Sequence, residues 1–367
     1  MKVISTKSNL QRASLLSEKI PNKNPTLPIL NSVLISAAKN VLVFLSTNLE
    51  MALKVSIPSK IEKEGKVALP SKLFSSLISS LSDNEEIKLS SVNNNLLVTT
   101  SSSSTTIKGY QVDDFPILPE VKEKKSFNMS IDDFLLGLKS VYYSTSTSEM
   151  KPEINSVYLY SSKNTPLTFV GTDSFRLSEK IIHYNFSDFP NILIPYRSAV
   201  EILRIFENQD GELALKMNDN NLVLSTKDIE FTSRLMEGTY PDYKQIIPNK
   251  FTNNVTVNKK KLSDALKTAI MFCGKLSEIK IKIYEGENFI EILTNNHDLG
   301  EHTVNIKCSV DGEDLTMVFN YRYLLDCLTS INSEDVVLKF SGEGKPLLIT
   351  SLDDTSFRYL IMPMKNI

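Results

Sequence analysis

Long apolar runs are missing from this sequence, and so are the residue clusters that most catalysis needs. No stretch of 18 consecutive apolar residues occurs among its 367 residues, which excludes a membrane-spanning helix. The opening MKVISTKSNL has none of the apolar core of a secretory signal, so a soluble cytoplasmic protein is the expectation. There are three cysteines, Cys273, Cys308 and Cys327. They have no metal-ligand spacing and suit a reducing compartment as small buried hydrophobes. His183, His297 and His302 are the only histidines, and none shares a ligand spacing with a cysteine or a carboxylate pair. No GxxxxGK[ST] occurs; SGEGKPLL has a Gly-Lys pair but neither the hydroxyl residue nor the upstream glycine of a phosphate loop. The adjacent carboxylates of VDDF and LDDTS would diverge on a strand and read as turns. No metal, cofactor or catalytic cluster is expected. A net charge of -2 also argues against a tight nucleic-acid binder, which usually carries a basic excess.

What the chain does contain is repetition. VDDFP ends at Pro116, GTYP at Pro241 and LIMP at Pro363, spacings of about 125 and 122 residues, the size of a domain. KVALPSKLFSSLISSL, NILIPYRSAVEILRIF and LTMVFNYRYLLDCLTSI keep the same register, each an apolar strand, a turn and a helix. So do STNLEMALKVSI, GTDSFRLSEKII and TNNHDLGEHTVNI, and the turn-strand set NNNLLVTT, DNNLVLST and GKPLLITS. Three domains follow, at 1–120, 121–248 and 249–367. EGTYPDYKQIIP is the seam between the second and third, where proline ends a strand because it cannot donate to a sheet ladder.

Each copy reads as a strand, a helix and three strands, twice over. In the first copy the helices are predicted at Ser8–Ile20 and Ser71–Leu81. The second has an apolar stripe of Leu73, Phe74, Leu77, Ile78 and Leu81. Two such helices per copy need an antiparallel sheet layer beneath them, so the class is α+β. The six predicted helices carry eleven basic and seven acidic residues, roughly +4, which leaves roughly -6 elsewhere. Helix surfaces often carry Lys and Arg, so the tally alone does not decide a function.

With PTLPILNSVLI, GTDSFRLS, EGTYPDY and the terminal YLIMPMKNI in their places on a threefold repeat, the chain resembles the bacterial DNA polymerase III beta subunits, the replicative sliding clamps. The resemblance runs the whole length. It implies the DNA-clamp fold and a homodimeric ring, closed head to tail, with helices lining a hole that encircles duplex DNA without reading its sequence. It also implies tethering of the polymerase III alpha subunit and other proteins bearing a clamp-binding motif, loading by a separate ATPase, no chemistry of its own, and no membrane. Grip by threading needs only a faintly cationic lining, and Ser75, Ser76 and Ser79 are read as further phosphate contacts.

The same resemblance implies a pocket for a partner peptide that offers a glutamine and bulky apolar residues. Its residues are Ile154, Thr172, Ser174, Phe175, Arg176 and Leu177; Pro241, Gln245, Ile246 and Ile247; and Tyr323, Leu360, Ile361, Met362, Pro363, Met364 and Lys365, with the tail Asn366 and Ile367. Thr172 and Arg176 are read as its polar direction. Simple core packing at a domain seam accounts for the same residue types. Lys23, Asn24, Lys72, Ser148, Lys151, Arg197 and Arg204 are the positions matched to DNA contact. Thr105 and Ile107, on the polar edge SSSSTTIKGY, and Ile270 and Met271 are matched to ring closure, although ordinary core explains the last two equally well. Departures from the family pattern are Ser174-Phe175 in place of Gly-His, Gln245 in place of a frequent arginine, and Asn24 in place of a DNA-contacting arginine. A monomeric peptide-binding scaffold is the alternative function.

Overall fold

The computed structural model describes residues 1–21, 27–83, 86–117, 124–162, 165–184, 186 and 188–364. Lys23, Asn24, Lys365, Asn366 and Ile367 lie outside the described residues. Six α-helices occur among the described residues: α1 Lys7–Ser17, α2 Ser71–Ser80, α3 Ile131–Val141, α4 Tyr196–Phe206, α5 Lys259–Ala269 and α6 Tyr321–Thr329. Each follows directly from a strand, as the repeat pattern requires. Side-chain oxygens cap the starts of α1, α5 and α6: Thr6 accepts the Asn9 amide, Asn258 the Lys261 amide and Asn320 the Arg322 amide. Helix α1 stops three residues before the predicted end. Ser17 Oγ bonds back to the Ala13 carbonyl at 2.8 Å, and Pro21 disfavours helical backbone at Ile20.

The chain forms two compact units. The first holds residues 1–132 and 200–235. One of its sheets has the order Lys60–Lys63, Lys2–Thr6, Glu86–Val92, Asn95–Thr99, Ser104–Ile107. The other has the order Lys125–Ser130, Glu212–Met217, Asn221–Ser225, Ile229–Arg234, Met51–Pro58, Val41–Thr47, Ser32–Ala38, Gly65–Pro70. The strand Lys60–Lys63 has no counterpart in the predicted repeat; it pairs Ile61 with Val3. Helices α1 and α2 pack on each other, and Phe74 of α2 meets Phe44 of the sheet with ring centroids 6.1 Å apart. The α2 stripe needs two corrections. Phe74 and Ile78 define the buried face, which brings Ser71 and Ser75 inward, so Ser75 is buried and reaches no phosphate, while Leu73 is 54% exposed. Ser76 and Ser79 remain on the surface.

The second unit holds residues 133–199 and 236–367. Its larger sheet runs Ile192–Pro195, Ser156–Tyr160, Leu167–Thr172, Arg176–Ile182, Phe357–Ile361, Leu347–Ser351, Asp335–Phe340, Asn253–Asn258, Ser309–Asp311. The smaller runs Gly300–Lys307, Phe289–Asn296, Glu278–Ile283, Leu315–Asn320. Leu262, Ala265, Leu266 and Ala269 of α5 and Leu324, Cys327 and Leu328 of α6 fill its core, the faces that the 3.6-residue periodicity marks.

Successive repeats are fused by antiparallel pairing. In the first unit Ile229–Arg234 of the second copy pairs with Met51–Pro58 of the first, from Ile229 opposite Val55 to Ser233 opposite Met51. In the second unit Arg176–Ile182 of the second copy pairs with Phe357–Ile361 of the third, with Leu177 opposite Leu360. The second copy is thus shared out, one half to each unit. Pro363 comes two residues after the joining strand Phe357–Ile361, and Pro241 seven residues after Ile229–Arg234.

Candidate functional site

The loop 171–177 is built by its own side chains. Thr172 Oγ1 donates to the Arg176 carbonyl at 2.7 Å and accepts the Ser174 amide at 3.2 Å. Asp173 Oδ1 accepts the amides of Phe175 and Arg176, both at 2.9 Å. Ser174 takes φ +77°, a left-handed conformation that a Cβ strains and that a glycine would enter freely. The matching loop of the first copy has the same bonds. Thr47 Oγ1 reaches the Met51 carbonyl at 2.9 Å, Asn48 Oδ1 accepts the Glu50 and Met51 amides, and Leu49 also has φ +77°.

Arg176 ties this loop to the third copy within the second unit. Nε donates to Asp173 Oδ2 at 3.0 Å, Nη1 to Asp326 Oδ2 at 2.6 Å and Nη2 to the Tyr143 carbonyl at 2.5 Å. The guanidinium also stands over the Tyr323 ring. Burial works against its charge, but Tyr359, Asp326 and Asp173 outweigh it and raise its pKa above the usual arginine value. At least three of its five N–H groups are therefore used by the protein itself, and the Thr172 hydroxyl has given up its one proton to the Arg176 carbonyl. The polar direction expected of these two residues is first of all a means of fixing the loop.

The seam 237–248 is pinned by tyrosines. Tyr240 stacks on Tyr158 at 4.7 Å, and Tyr158 on Tyr160 at 5.0 Å. The Tyr160 and Tyr243 hydroxyls are 2.8 Å apart, and Tyr243 donates to the buried Glu179 Oε2 at 2.6 Å. Burial first, and then the Glu179 charge, push the Tyr243 phenol far above its usual range, so it remains a donor at any physiological pH. Above this ladder Tyr243–Ile246 makes a single 3-10 turn. Leu177, Leu360, Val170, Leu193, Tyr240, Tyr243 and Leu348 form one apolar cluster, with Ile247 and Phe251 half-buried against it.

Most of the predicted pocket residues therefore meet. Ile154 joins through Ser146, whose amide is shared by the carbonyls of Ile154 at 2.9 Å and Thr172 at 3.2 Å. The Met362 amide donates to the Phe175 carbonyl and the Met364 amide to the Val318 carbonyl, both at 2.8 Å; Pro363, between them, is half-buried. Pro241, Ile246 and Met362 are exposed, and Gln245 is held by Asp242 at 2.6 Å. The Phe175 ring is 61% exposed, so it stands at the rim and does not narrow an interior. Ile361 is a correction. Alternation along its strand turns its side chain to the opposite face, into the core with Phe340 and Leu347, and it offers only backbone. The partners of Arg176 and the tyrosine ladder were not anticipated. SVYLY carried a signal for the ladder, since residues two apart share a strand face.

Of the residues matched to DNA contact, Lys72, Ser148 and Lys151 are exposed. Arg197 and Arg204 are exposed too, but each carries an acid, Glu149 at 2.9 Å and Glu201 at 2.8 Å. Of those matched to ring closure, Ser104–Ile107 is a sheet edge, paired among the described residues on one side only, with Thr105 half-buried. Ile107 is 3% exposed, so its side chain belongs to its own core and the edge offers backbone. Ile270 is half-buried, and Met271 is 62% exposed on the turn Ile270–Phe272, which packs on the edge strand Gly300–Lys307.

Models of the DNA polymerase III beta subunit match in sequence order: the N-terminal domain over residues 1–119, the central domain over 129–242 and the C-terminal domain over 244–365. The chain belongs to the DNA polymerase III beta-subunit family. Beta sliding clamps of Synechocystis and Staphylococcus epidermidis are 28% and 27% identical, over 100% and 93% of this chain and 99% and 93% of theirs. Among solved structures, the Bacillus subtilis polymerase sliding clamp superposes with a TM-score of 0.94 at 23% identity. The Bartonella birtlesii sliding clamp, bound to griselimycin, reaches 0.95 at 24%; both alignments cover 100% of both chains. The three α+β copies read from the repeats have the clamp fold that the resemblance implied, and the function of the chain is that of a sliding clamp, a processivity factor in DNA replication.

Proposed function

We propose that two copies of this chain close head to tail into a ring around duplex DNA, and that the ring tethers the polymerase III alpha subunit and other motif-bearing proteins through the Leu177–Leu360 pocket. The domains are 1–120, 121–248 and 249–367. The ring has no chemistry of its own, works in the cytoplasm on the nucleoid, and is opened by a separate clamp-loader ATPase. The observation that carries this reading is the fusion of successive repeats by antiparallel ladders, together with the position of Ser104–Ile107 and Gly300–Lys307, which each end a sheet among the described residues and belong to the first and third copies. Two copies pairing such edges would continue the same pattern from chain to chain.

Two experiments test it. Light scattering on a sizing column should give about twice 41.3 kDa; the mass of one chain would favour the monomeric scaffold. With a cognate loader, the protein should be retained on nicked circular DNA and lost when that DNA is linearised. Equal retention on both forms rules out topological linkage.

A further inference from the structure

The larger sheet of the second unit carries another concavity beside the candidate pocket. A cleft of ≈ 480 Å³ opens between residues 247–251 and the strands Asp335–Phe340 and Leu347–Ser351. Its floor is apolar, with Val337 and Leu348 buried and Ile247 and Phe251 half-buried. Its rim holds two cations, Lys339 and Arg358, and no carboxylate. Lys339 Nζ lies 5.7 Å from the centroid of the Phe251 ring and makes no ion pair among the described residues. Arg358 has a single long contact, 3.7 Å to Glu179, and its guanidinium makes no hydrogen bond among the described residues. Two under-used cations above an apolar floor favour a ligand with apolar bulk and a negative charge.

The cleft lies in line with the pocket. Cross-strand partners on one sheet face run from Leu177 to Leu360, to Leu348 and to Lys339. Neighbouring strands are ~4.8 Å apart, so Lys339 stands ~14 Å from Leu177. An extended segment advances ~3.3 Å per residue, so about four residues is the least that covers that distance, because the segment must pass outside the seam that buries Leu360 and Leu348. Ile247 belongs to both places, on the pocket's seam wall and in the cleft lining.

We infer that the cleft receives the flank of the partner segment whose apolar anchor fills the pocket, and that this flank carries a carboxylate about four residues or more from the anchor. The inference rests on the pocket reading given above. A peptide fits better than a nucleic acid, because the one aromatic face in the lining, Phe251, is already covered by Lys339, and an isolated pair of cations cannot follow a phosphate chain.

The test uses the full chain and labelled synthetic peptides with a glutamine and a Leu-Phe anchor, read by fluorescence anisotropy. The peptides carry either Glu or Gln about four residues or more from the anchor, on each side in turn. At low salt one Glu peptide should bind about fivefold more tightly than its Gln twin. The advantage should vanish in the Lys339→Gln/Arg358→Gln double variant and at about 0.5 M salt. Thermal melts check that the variant is folded. Equal binding of Glu and Gln peptides to the unaltered chain overturns the inference, as does a Glu preference that survives in the double variant. Failure of every peptide to bind the unaltered chain overturns the pocket reading itself, and the inference with it. If the double variant loses affinity for a single-stranded oligonucleotide and keeps the peptide preference, the cleft is a nucleic-acid contact and the peptide assignment is wrong.

Discussion

The guanidinium carbon of Arg176 sits 4.5 Å from the centroid of the Tyr323 ring. A residue of the second repeat therefore shields one of the third, and the same guanidinium bonds Asp326 on α6. Arg176→Ala should destabilise the second unit by about 2–3 kcal/mol, less than a fully buried pair because Asp326 is half exposed. Arg176→Lys keeps the charge but loses the fork and should fall between. Urea midpoints measure the loss, and anisotropy with the anchor peptide should show weakened binding in the same order. Peptide affinity unchanged in both variants would mean that Tyr323 needs no support from Arg176.

Ser174 and Leu49 share a left-handed backbone at φ +77° in matching loops. Replacing either by glycine removes strain of about 1–2 kcal/mol and gives part of it back through the freer unfolded chain. Ser174→Gly and Leu49→Gly should each raise stability by about 0.5–1 kcal/mol. Denaturant titrations of the two single variants and the double variant check this, with additive gains expected because the loops lie in different units.

Lys180 Nζ, almost wholly buried, bonds Asp354 Oδ2 at 2.7 Å. Burial alone would raise the Asp354 carboxyl, but the bonds from Lys180 and Ser356 outweigh it and hold it below its ordinary 3.8. A carboxyl depressed in the folded state stabilises when ionised. Its contribution is present above the ordinary value and is lost as pH falls through the lower folded value. Asp354→Asn should cost about 1 kcal/mol at neutral pH, a modest figure because the carboxylate is half exposed. It should also flatten the decline in stability below about pH 4. Urea midpoints from acid to neutral pH for both proteins give the comparison.

The threefold plan was legible because its markers are local. A proline after a strand, a strand running straight into an amphipathic helix, and a turn opening an alternating strand are each decided within a dozen residues or so. Pairing between repeats was not legible. Alternation along Met51–Pro58 says which face is buried but not that its neighbour will be Ile229–Arg234. Lys60–Lys63 escaped notice because KIEK has a single apolar residue and is held by backbone bonds at an edge. At the candidate site the apolar members Leu177 and Leu360 stood out, but Ile361 was assigned the wrong face because neighbours on a strand point oppositely. Arg176 was recognised as polar, while its partner Asp326 comes from a distant helix that no local pattern connects to it.

The sharing of the second copy between two units bears on how the chain is made. When the first copy leaves the ribosome, the strand Met51–Pro58 has a bare edge on the side that Ile229–Arg234 will occupy. At ~5–20 residues per second that partner arrives on the order of ten seconds or more later. Over that interval a nascent polypeptide exposes an unpaired β edge backed by apolar residues, the kind of surface that holdase chaperones cover and that neighbouring chains on a polysome can pair with wrongly. Translation speed across the second copy is therefore expected to govern the soluble yield of this protein more than the final stability of either unit.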